Sequence, residues 1–333
     1  MARGKFNPEI LNPVKPVQNP FSTLLVRGQP VILDGGLGSE LEARGYDLSS
    51  SLWSAELLLD QPQAIVDIHL AYLEAGAQCL TSASYQASVT GLLAAGLSQQ
   101  QARAALTGSV ALARSACEIY RTRHPEADFK PLVAASIGPY GAFLADGSEY
   151  RGDYGVDDAT LYDFHRQRLG WFDQSGADLI ACETIPSLQE ARILSRLLET
   201  VNTPAWISFA CRDDARLNDG HELAQAVTLF VTHPKVIGLG INCTAPQFIE
   251  ALVGEIKSVF EACNLPEKTI LVYPNSGEHY NASSKTWHGT VTPLECGRAS
   301  RVWQQAGASV IGGCCRMGPA HIRAMAQELK NQI

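Results

Sequence analysis

Two short frames hold the residue types from which chemistry could be built: Gly240-Ile241-Asn242-Cys243-Thr244 and Gly312-Gly313-Cys314-Cys315-Arg316. Each follows an apolar, β-prone run, Val236-Ile237-Gly238-Leu239 before the first and Ala308-Ser309-Val310-Ile311 before the second. The thiols therefore fall where strands end, the place at which α/β enzymes gather their working groups. Three thiolates suit zinc better than harder divalent ions, and three protein ligands leave a fourth tetrahedral position for substrate, which is a catalytic arrangement. Taken singly, each cysteine reads equally well as a small buried packing residue. The adjacency of Cys314 and Cys315 is different, because neighbours on a strand point to opposite faces. Both reach one metal only where the chain leaves strand geometry, which Gly312 and Gly313 permit.

Other polar groups cluster at predicted strand ends: Asp34-Gly35-Gly36, Thr81-Ser82, Cys182-Glu183-Thr184, Asn242, and Pro274-Asn275-Ser276-Gly277-Glu278. Asp34 and Glu183 could together hold an ammonium group, and amides exposed by Gly35 and Gly36 could bind a carboxylate, the two charges of an α-amino acid. Read structurally, Asp34 is instead a cap or turn residue before a helix over Leu37–Arg44, and Glu183 an acidic residue near the start of a helix from about Ser187. Arg316 fits either an acidic ligand or a loop brace. Tyr85, Tyr273 and Glu278 stand where a cationic ligand would meet aromatic or acidic groups. His221-Glu222 lacks the second histidine of a zinc-protease helix, no His-x-His occurs, and Gly36-Leu37-Gly38 lacks the further glycine of a dinucleotide fingerprint. Cys79, Cys117, Cys182, Cys211, Cys263 and Cys296 have no partner frame and read as packing residues, with Cys182 set apart by its neighbour Glu183. His69, His165, His279 and His288 read as surface or capping groups.

The elements that must position these groups alternate steadily from about residue 31. Eight β-type runs, Val31–Leu33, Ala77–Leu80, Leu132–Ala135, Asp178–Ala181, Ala205–Phe209, Val236–Leu239, Ile270–Tyr273 and Ser309–Ile311, are separated by helical stretches such as Gln63–Glu74 and Leu161–Gln174. The pairs Gly76-Ala77, Gly176-Ala177 and Gly307-Ala308 each end a helix and open a strand, suggesting one βα unit used repeatedly. Eight such units close into a single-domain (β/α)₈ TIM barrel; a doubly wound open sheet shares the alternation but not the closure. Closure matters, because inward-pointing residues of one barrel layer come from alternate strands. Groups ending the sixth and eighth strands then face the same axial space, and Cys243 and the Cys314-Cys315 pair meet that condition.

Composition narrows the function. At 333 residues, with 46% hydrophobic and 18% charged residues, the chain falls near globular norms, and no run approaches the about 18 apolar residues of a membrane span. A net charge of -8 without a basic run argues against nucleic acid and for small-molecule substrates. Nine cysteines are too sparse for a disulfide scaffold and point to a reducing, cytoplasmic setting. Residues 1–20, with four prolines among polar groups, read as an extended or disordered leader rather than a secretory signal, leaving 21–333 as the barrel. Oligomeric state has no sequence signature here.

Taken together, Asp34-Gly35-Gly36, Gly240-Ile241-Asn242-Cys243-Thr244, Tyr273-Pro274-Asn275-Ser276-Gly277-Glu278 and Gly312-Gly313-Cys314-Cys315-Arg316 resemble the zinc-dependent homocysteine S-methyltransferase family, from about Phe21 to the C-terminus. The resemblance is nearest to its single-domain branch, which uses S-methylmethionine or, less efficiently, S-adenosylmethionine; there is no room for the folate and cobalamin domains of methionine synthases. It implies Zn²⁺ on Cys243, Cys314 and Cys315, and homocysteine held by Asp34, Glu183 and Ser82, with Gly35, Gly36 and Asn242 alongside. Two other readings remain: a zinc hydrolase, whose site usually prefers histidine and carboxylate ligands, and a non-catalytic thiol or metal sensor with a Cys314–Cys315 disulfide.

Overall fold

The computed structural model describes residues 17–25, 28–48, 53–277, 279–281, 286–288 and 291–330. Its core is a parallel sheet of eight strands: β1 (Val31–Ile32), β2 (Cys79–Thr81), β3 (Leu132–Ile137), β4 (Leu179–Ile185), β5 (Ala205–Phe209), β6 (Val236–Asn242), β7 (Thr269–Tyr273) and β10 (Val310–Ile311). Neighbours pair in chain order from β2 through β7 to β10, and β10 pairs with β1 in register Val31↔Val310. A parallel bridge between Leu33 and Cys79, with Asp34 N–H donating to Cys79 O at 3.1 Å and Gln78 N–H to Ile32 O at 2.7 Å, joins β1 to β2. The sheet thereby closes into the expected barrel. Strands β8 (His279–Asn281) and β9 (Thr286–His288) form a separate antiparallel pair between β7 and the helix Pro293–Ala306.

Alternation along each strand divides the apolar residues into two layers. Val31, Leu33, Cys79, Ala134, Leu179, Ala181, Trp206, Leu271 and Val310 face the barrel interior. Ile32, Leu80, Val133, Ile180, Ile207, Leu239, Val272 and Ile311 belong to the outer layer, packed with Ile65, Leu106, Leu169, Leu194 and Ile256 from the surrounding helices. At the end where the strands begin, Phe21 is wholly buried against Trp206, with ring centroids 5.8 Å apart, and Leu24 and Leu132 belong to the same cluster. This plug seals one mouth of the barrel and leaves the other for chemistry.

Helix starts carry the local signals that fix them. Ser187 accepts Glu190 N–H ahead of Leu188–Leu198, Asp157 caps Asp158–Phe172, and Ser98 and Thr292 form reciprocal capping boxes with Gln101 and Glu295. The three Gly-Ala pairs behave as anticipated: Gly76, Gly176 and Gly307 have φ of 109, 79 and 126°, left-handed values that end a helix cheaply only at glycine.

Several details depart from the sequence reading. The second strand begins at Cys79 rather than Ala77, because Gly76 and the tight Ala77 N–H to Tyr72 O turn occupy the preceding residues. His69 and His165 are fully buried instead of lying at the surface, and Cys263 is exposed at a helix end rather than packed. The side chains of His279 and His288 and residues 1–16 lie outside the described residues; within 17–20, Asn19 Nδ2 donates to Thr269 Oγ1 at 2.9 Å.

Candidate active site

Strand β6 delivers Cys243 by breaking its own geometry. Cys243 takes φ of 49° while its N–H donates to Tyr273 O at 3.2 Å, so the side chain turns from the strand toward the barrel axis. Beyond β10, Gly313 N–H donates to Asp34 O at 3.0 Å and Cys314 N–H to Pro274 O at 2.8 Å, and the Cys314 carbonyl takes Met317 N–H at 3.1 Å in a turn. A Cβ on Gly312 would lie 2.6 Å from Leu33 Cβ and 2.9 Å from Asp34 O, so only glycine lets the turn nest against the end of β1.

The result is three sulfurs in one place. Cys243 Sγ lies 3.6 Å from Cys315 Sγ, Cys314 Sγ lies 4.0 Å from Cys315 Sγ, and all three fall within 4.8 Å of one another. Sulfurs bound tetrahedrally to a metal at about 2.3 Å stand about 3.8 Å apart, so the cluster fits such an ion with small adjustments. Cys315 is held well below the ordinary thiol range by hydrogen bonds from Cys243 and Cys314, while Cys314 is pushed up by its hydrogen bonds to those same neighbours. The thiolate form is thus favoured at Cys315 and disfavoured at Cys243 and Cys314.

A second strained residue supports the first. Strand β4 has a register shift between Cys182 and Ile185, and within it Thr184 takes φ of 62°. Asn242 clamps this kink, accepting Thr184 N–H at 2.7 Å and donating to Thr184 Oγ1 at 2.7 Å; its amide also lies 3.9 Å from Cys314 Sγ. Among the described residues, three of the five non-glycine residues with positive φ, Thr184, Cys243 and Arg316, sit here; each costs about 1–3 kcal/mol. Strain of that size persists only where its neighbours over-determine it.

Opposite the sulfurs lie two buried carboxyls. Asp34 accepts Thr81 N–H at 2.8 Å and Thr81 Oγ1–H at 3.1 Å, and Glu183 accepts the Ser136 hydroxyl. Asp34 is pushed well up by burial, with the Thr81 N–H opposing and the Glu183 charge adding to the effect. Burial pushes Glu183 up to about 7, against hydrogen bonds from Ser136 and Tyr273. Neither acid caps a helix: the residue before Leu37–Ala43 is Gly36, and the cap of Leu188–Leu198 is Ser187. Ser82 accepts Ser136 N–H at 3.0 Å and bonds Ser84 Oγ at 2.8 Å, tying β2 to β3. Gly36 N–H already donates to Met317 O at 3.1 Å. What the glycine pair supplies is closeness: a Cβ on Gly35 would stand 2.0 Å from Met317 O, and one on Gly36 2.6 Å from Cys314 O.

All these groups border one cavity of about 270 Å³ at the open mouth, lined by Asp34, Gly35, Gly36, Ser82, Glu183, Asn242 and the three cysteines. The structure brings together the residues predicted to hold the metal and homocysteine. Tyr85 and Tyr273 also line it, Tyr273 as a hydrogen-bonding floor that accepts the Trp206 indole N–H at 3.0 Å. Glu278 lies outside the described residues. Arg316 braces the turn, its N–H donating to Ser39 Oγ at 3.0 Å and its guanidinium 3.8 Å from Glu42.

Sequence reasoning missed Ser136, Glu149 and Tyr150, which line the cavity too. The last two belong to the loop Asp146–Gly152 after β3, whose polar, glycine-flanked composition carries no periodic signal. It also missed a buried brace. His165 Nε2 meets Glu190 Oε1 at 2.7 Å, and Arg168 donates to Gly138 O at 2.6 Å and Ala87 O at 3.2 Å, tying the loops after β2 and β3 to the helix Asp158–Phe172.

A closed parallel barrel whose rim joins three thiols to a pair of desolvated carboxyls defines a class: a barrel enzyme able to hold a metal through sulfur beside two buried acids. The sequence profile of the homocysteine S-methyltransferase family matches residues 31–329. The chain is 46% identical over 311 residues to the homocysteine S-methyltransferase of Escherichia coli, covering 92% of this chain and 97% of that one. It is 42% identical over 315 residues to the homocysteine S-methyltransferase YbgG of Bacillus subtilis, again covering 92% and 97%. The metallated form of the homocysteine methyltransferase MmuM from Escherichia coli superimposes with a TM-score of 0.81 at 42% identity, covering 93% of this chain and 99% of that one. The chain belongs to the homocysteine S-methyltransferase family and is a methyltransferase.

Proposed function

We propose that this enzyme is zinc-dependent and transfers a methyl group from a sulfonium donor, S-methylmethionine foremost and S-adenosylmethionine second, to L-homocysteine, giving methionine. The observation that carries the reading is the single cavity in which Cys243, Cys314 and Cys315 face Asp34 and Glu183. The metallated form of a relative at 42% identity supports a resident metal, and an all-sulfur donor set favours zinc.

Cys243, Cys314 and Cys315 would hold the ion, with Asn242 keeping Cys314 oriented. Zinc, when bound there, lowers the pKa of an incoming thiol and so supplies a thiolate at neutral pH. Asp34 and Glu183 take the homocysteine ammonium; arrival of that cation restores the ionised forms that burial disfavours, so binding is electrostatically selective for an amino acid. Gly35 and Gly36 admit the carboxylate close to main chain, and Ser82 holds the β2–β3 wall beside it. In the transfer, a lone pair of the homocysteine sulfur forms the new S–C bond as the donor's methyl–sulfur bond breaks. The breaking pair stays on the donor sulfur, which leaves as a neutral thioether, and the thiol proton passes to solvent. Thiolate and sulfonium charges annihilate, a change favoured in a cavity of low dielectric.

Among the described residues no histidine, the ligand a zinc hydrolase commonly uses, lines the cavity. All nine cysteines are free, which supports a reducing, cytoplasmic setting over the disulfide of a sensor. The test is product analysis with zinc-loaded protein, homocysteine and each donor in turn. Methionine from S-methylmethionine in twofold yield over homocysteine consumed is expected; ester or amide cleavage without methyl transfer would overturn the reading.

A further inference from the structure

Glu149 stands apart from every other acid in the cavity. Asp34 and Glu183 have hydrogen-bond donors on their carboxylates, whereas Glu149 Oε2 is shut off from solvent with no hydrogen-bond partner. The backbone around it is pinned. Asn218 Nδ2 donates to Glu149 O at 3.1 Å, Asp146 Oδ1 takes Ser148 N–H at 2.9 Å, and a Cβ on Gly141 would lie 2.4 Å from Glu149 N. A turn packed that closely fixes where the Glu149 side chain meets the cavity wall. Its neighbour Tyr150 is 54% exposed and borders the same cavity as the three cysteines.

Half-buried, with its own backbone N–H on the carboxylate and Oε2 left unpartnered, Glu149 is an incompletely satisfied anion that an arriving cation would stabilise. An ammonium or guanidinium would meet such an oxygen with N–H groups. A sulfonium offers none, and is recognised by charge and by aromatic faces instead. Glu149 and Tyr150 supply these two features in the cavity that the three cysteines also line, where a methyl donor must stand to be attacked. Resting on the methyl-transfer reading above, we propose that Glu149 and Tyr150 form the subsite that recognises the sulfonium charge of the donor, separately from the carboxyls that hold homocysteine.

The experiment compares wild type with Glu149→Gln, which keeps shape and removes charge, and with Tyr150→Leu at the exposed position. Two probes are used at saturating homocysteine: S-methylmethionine as substrate, and 2-amino-5-methylhexanoate, its uncharged carbon isostere, as inhibitor. Glu149→Gln is expected to raise the KM for S-methylmethionine about tenfold or more, leaving inhibition by the isostere and the KM for homocysteine within about twofold. Tyr150→Leu should raise the donor KM by about two- to fivefold with the same split, and stands as the independent test where Glu149→Gln lowers the melting temperature. Equal weakening of both probes would assign Glu149 to the donor's ammonium or to structure, and an unchanged donor KM would remove it from recognition; either overturns the inference while methyl transfer by wild type stands. Wild type inactive with every sulfonium donor would overturn the functional reading, and this inference with it.

Discussion

Glu183 should make amino-acid affinity depend on pH, and the size of that dependence follows from its surroundings. Burial raises its pKa from 4.5 to about 7, so holding it ionised without a ligand costs about 3 kcal/mol above pH 7. The sign follows from the direction: a carboxyl raised in the folded state contributes stability at low pH that is lost as pH rises from about 4.5 through about 7. An arriving ammonium reverses the preference, because it binds only the ionised acid. Methionine carries the same ammonium and carboxylate as homocysteine but no titrating thiol, which makes it the clean probe. With zinc saturating, its dissociation constant should rise about tenfold from pH 8 to pH 6, and binding near pH 7 should release about half a proton, read by calorimetry in buffers of different ionisation enthalpy. Glu183→Gln should bind methionine about tenfold or more weakly at pH 8 and lose the part of the pH dependence centred near pH 7, keeping only what Asp34 contributes, while the ligand-free variant melts higher than wild type at that pH. A flat wild-type profile, or a Glu183→Gln profile that keeps the full wild-type slope, would refute the argument.

Three further perturbations follow from the same geometry. Cys315→Ser removes the sulfur nearest Cys243, and is expected to abolish stoichiometric zinc and turnover together, read by metal analysis on folded protein. Gly36→Ala places a Cβ 2.6 Å from Cys314 O and 2.5 Å from Ser39 Oγ; displacement of the Cys314 turn should lower metal content with the far-ultraviolet circular dichroism spectrum unchanged. Phe21→Ala empties the sealed mouth of the barrel and should cost about 3–5 kcal/mol in denaturant unfolding, with zinc stoichiometry retained.

Sequence carried the barrel well because its signals are local. β-Branched runs between helices that end in Gly76, Gly176 and Gly307 announce a repeated βα unit, and the thiol frames announce themselves by sitting where runs stop. What the chain does not spell out is what depends on distant partners. Thr81 reaches Asp34 across 47 positions, and Ser136 reaches Glu183 across the same span. The left-handed turns at Cys243 and Thr184 occur at residue types without preference for them, so only the Asn242 clamp and the closing sheet reveal them. His165 is misread as a surface group for a related reason. A histidine's charge is decided by its neighbours, and Glu190 and Arg168, which enclose it, lie 25 and 3 positions away. Glu149 was invisible because its significance lies in a partner it lacks.

The aromatic stopper formed by Phe21 and Trp206 closes the mouth where the strands begin, so among the described residues the chamber opens at the other end. Under the proposed assignment, the guest seated on Asp34 and Glu183 lies inward and the one facing Glu149 lies outward, so traffic must follow last in, first out. Homocysteine would enter ahead of its donor, and the demethylated donor would depart before the newly made methionine is free to go. Initial-rate patterns with each product as inhibitor should therefore report a compulsory order imposed by a residue far from any bond that breaks.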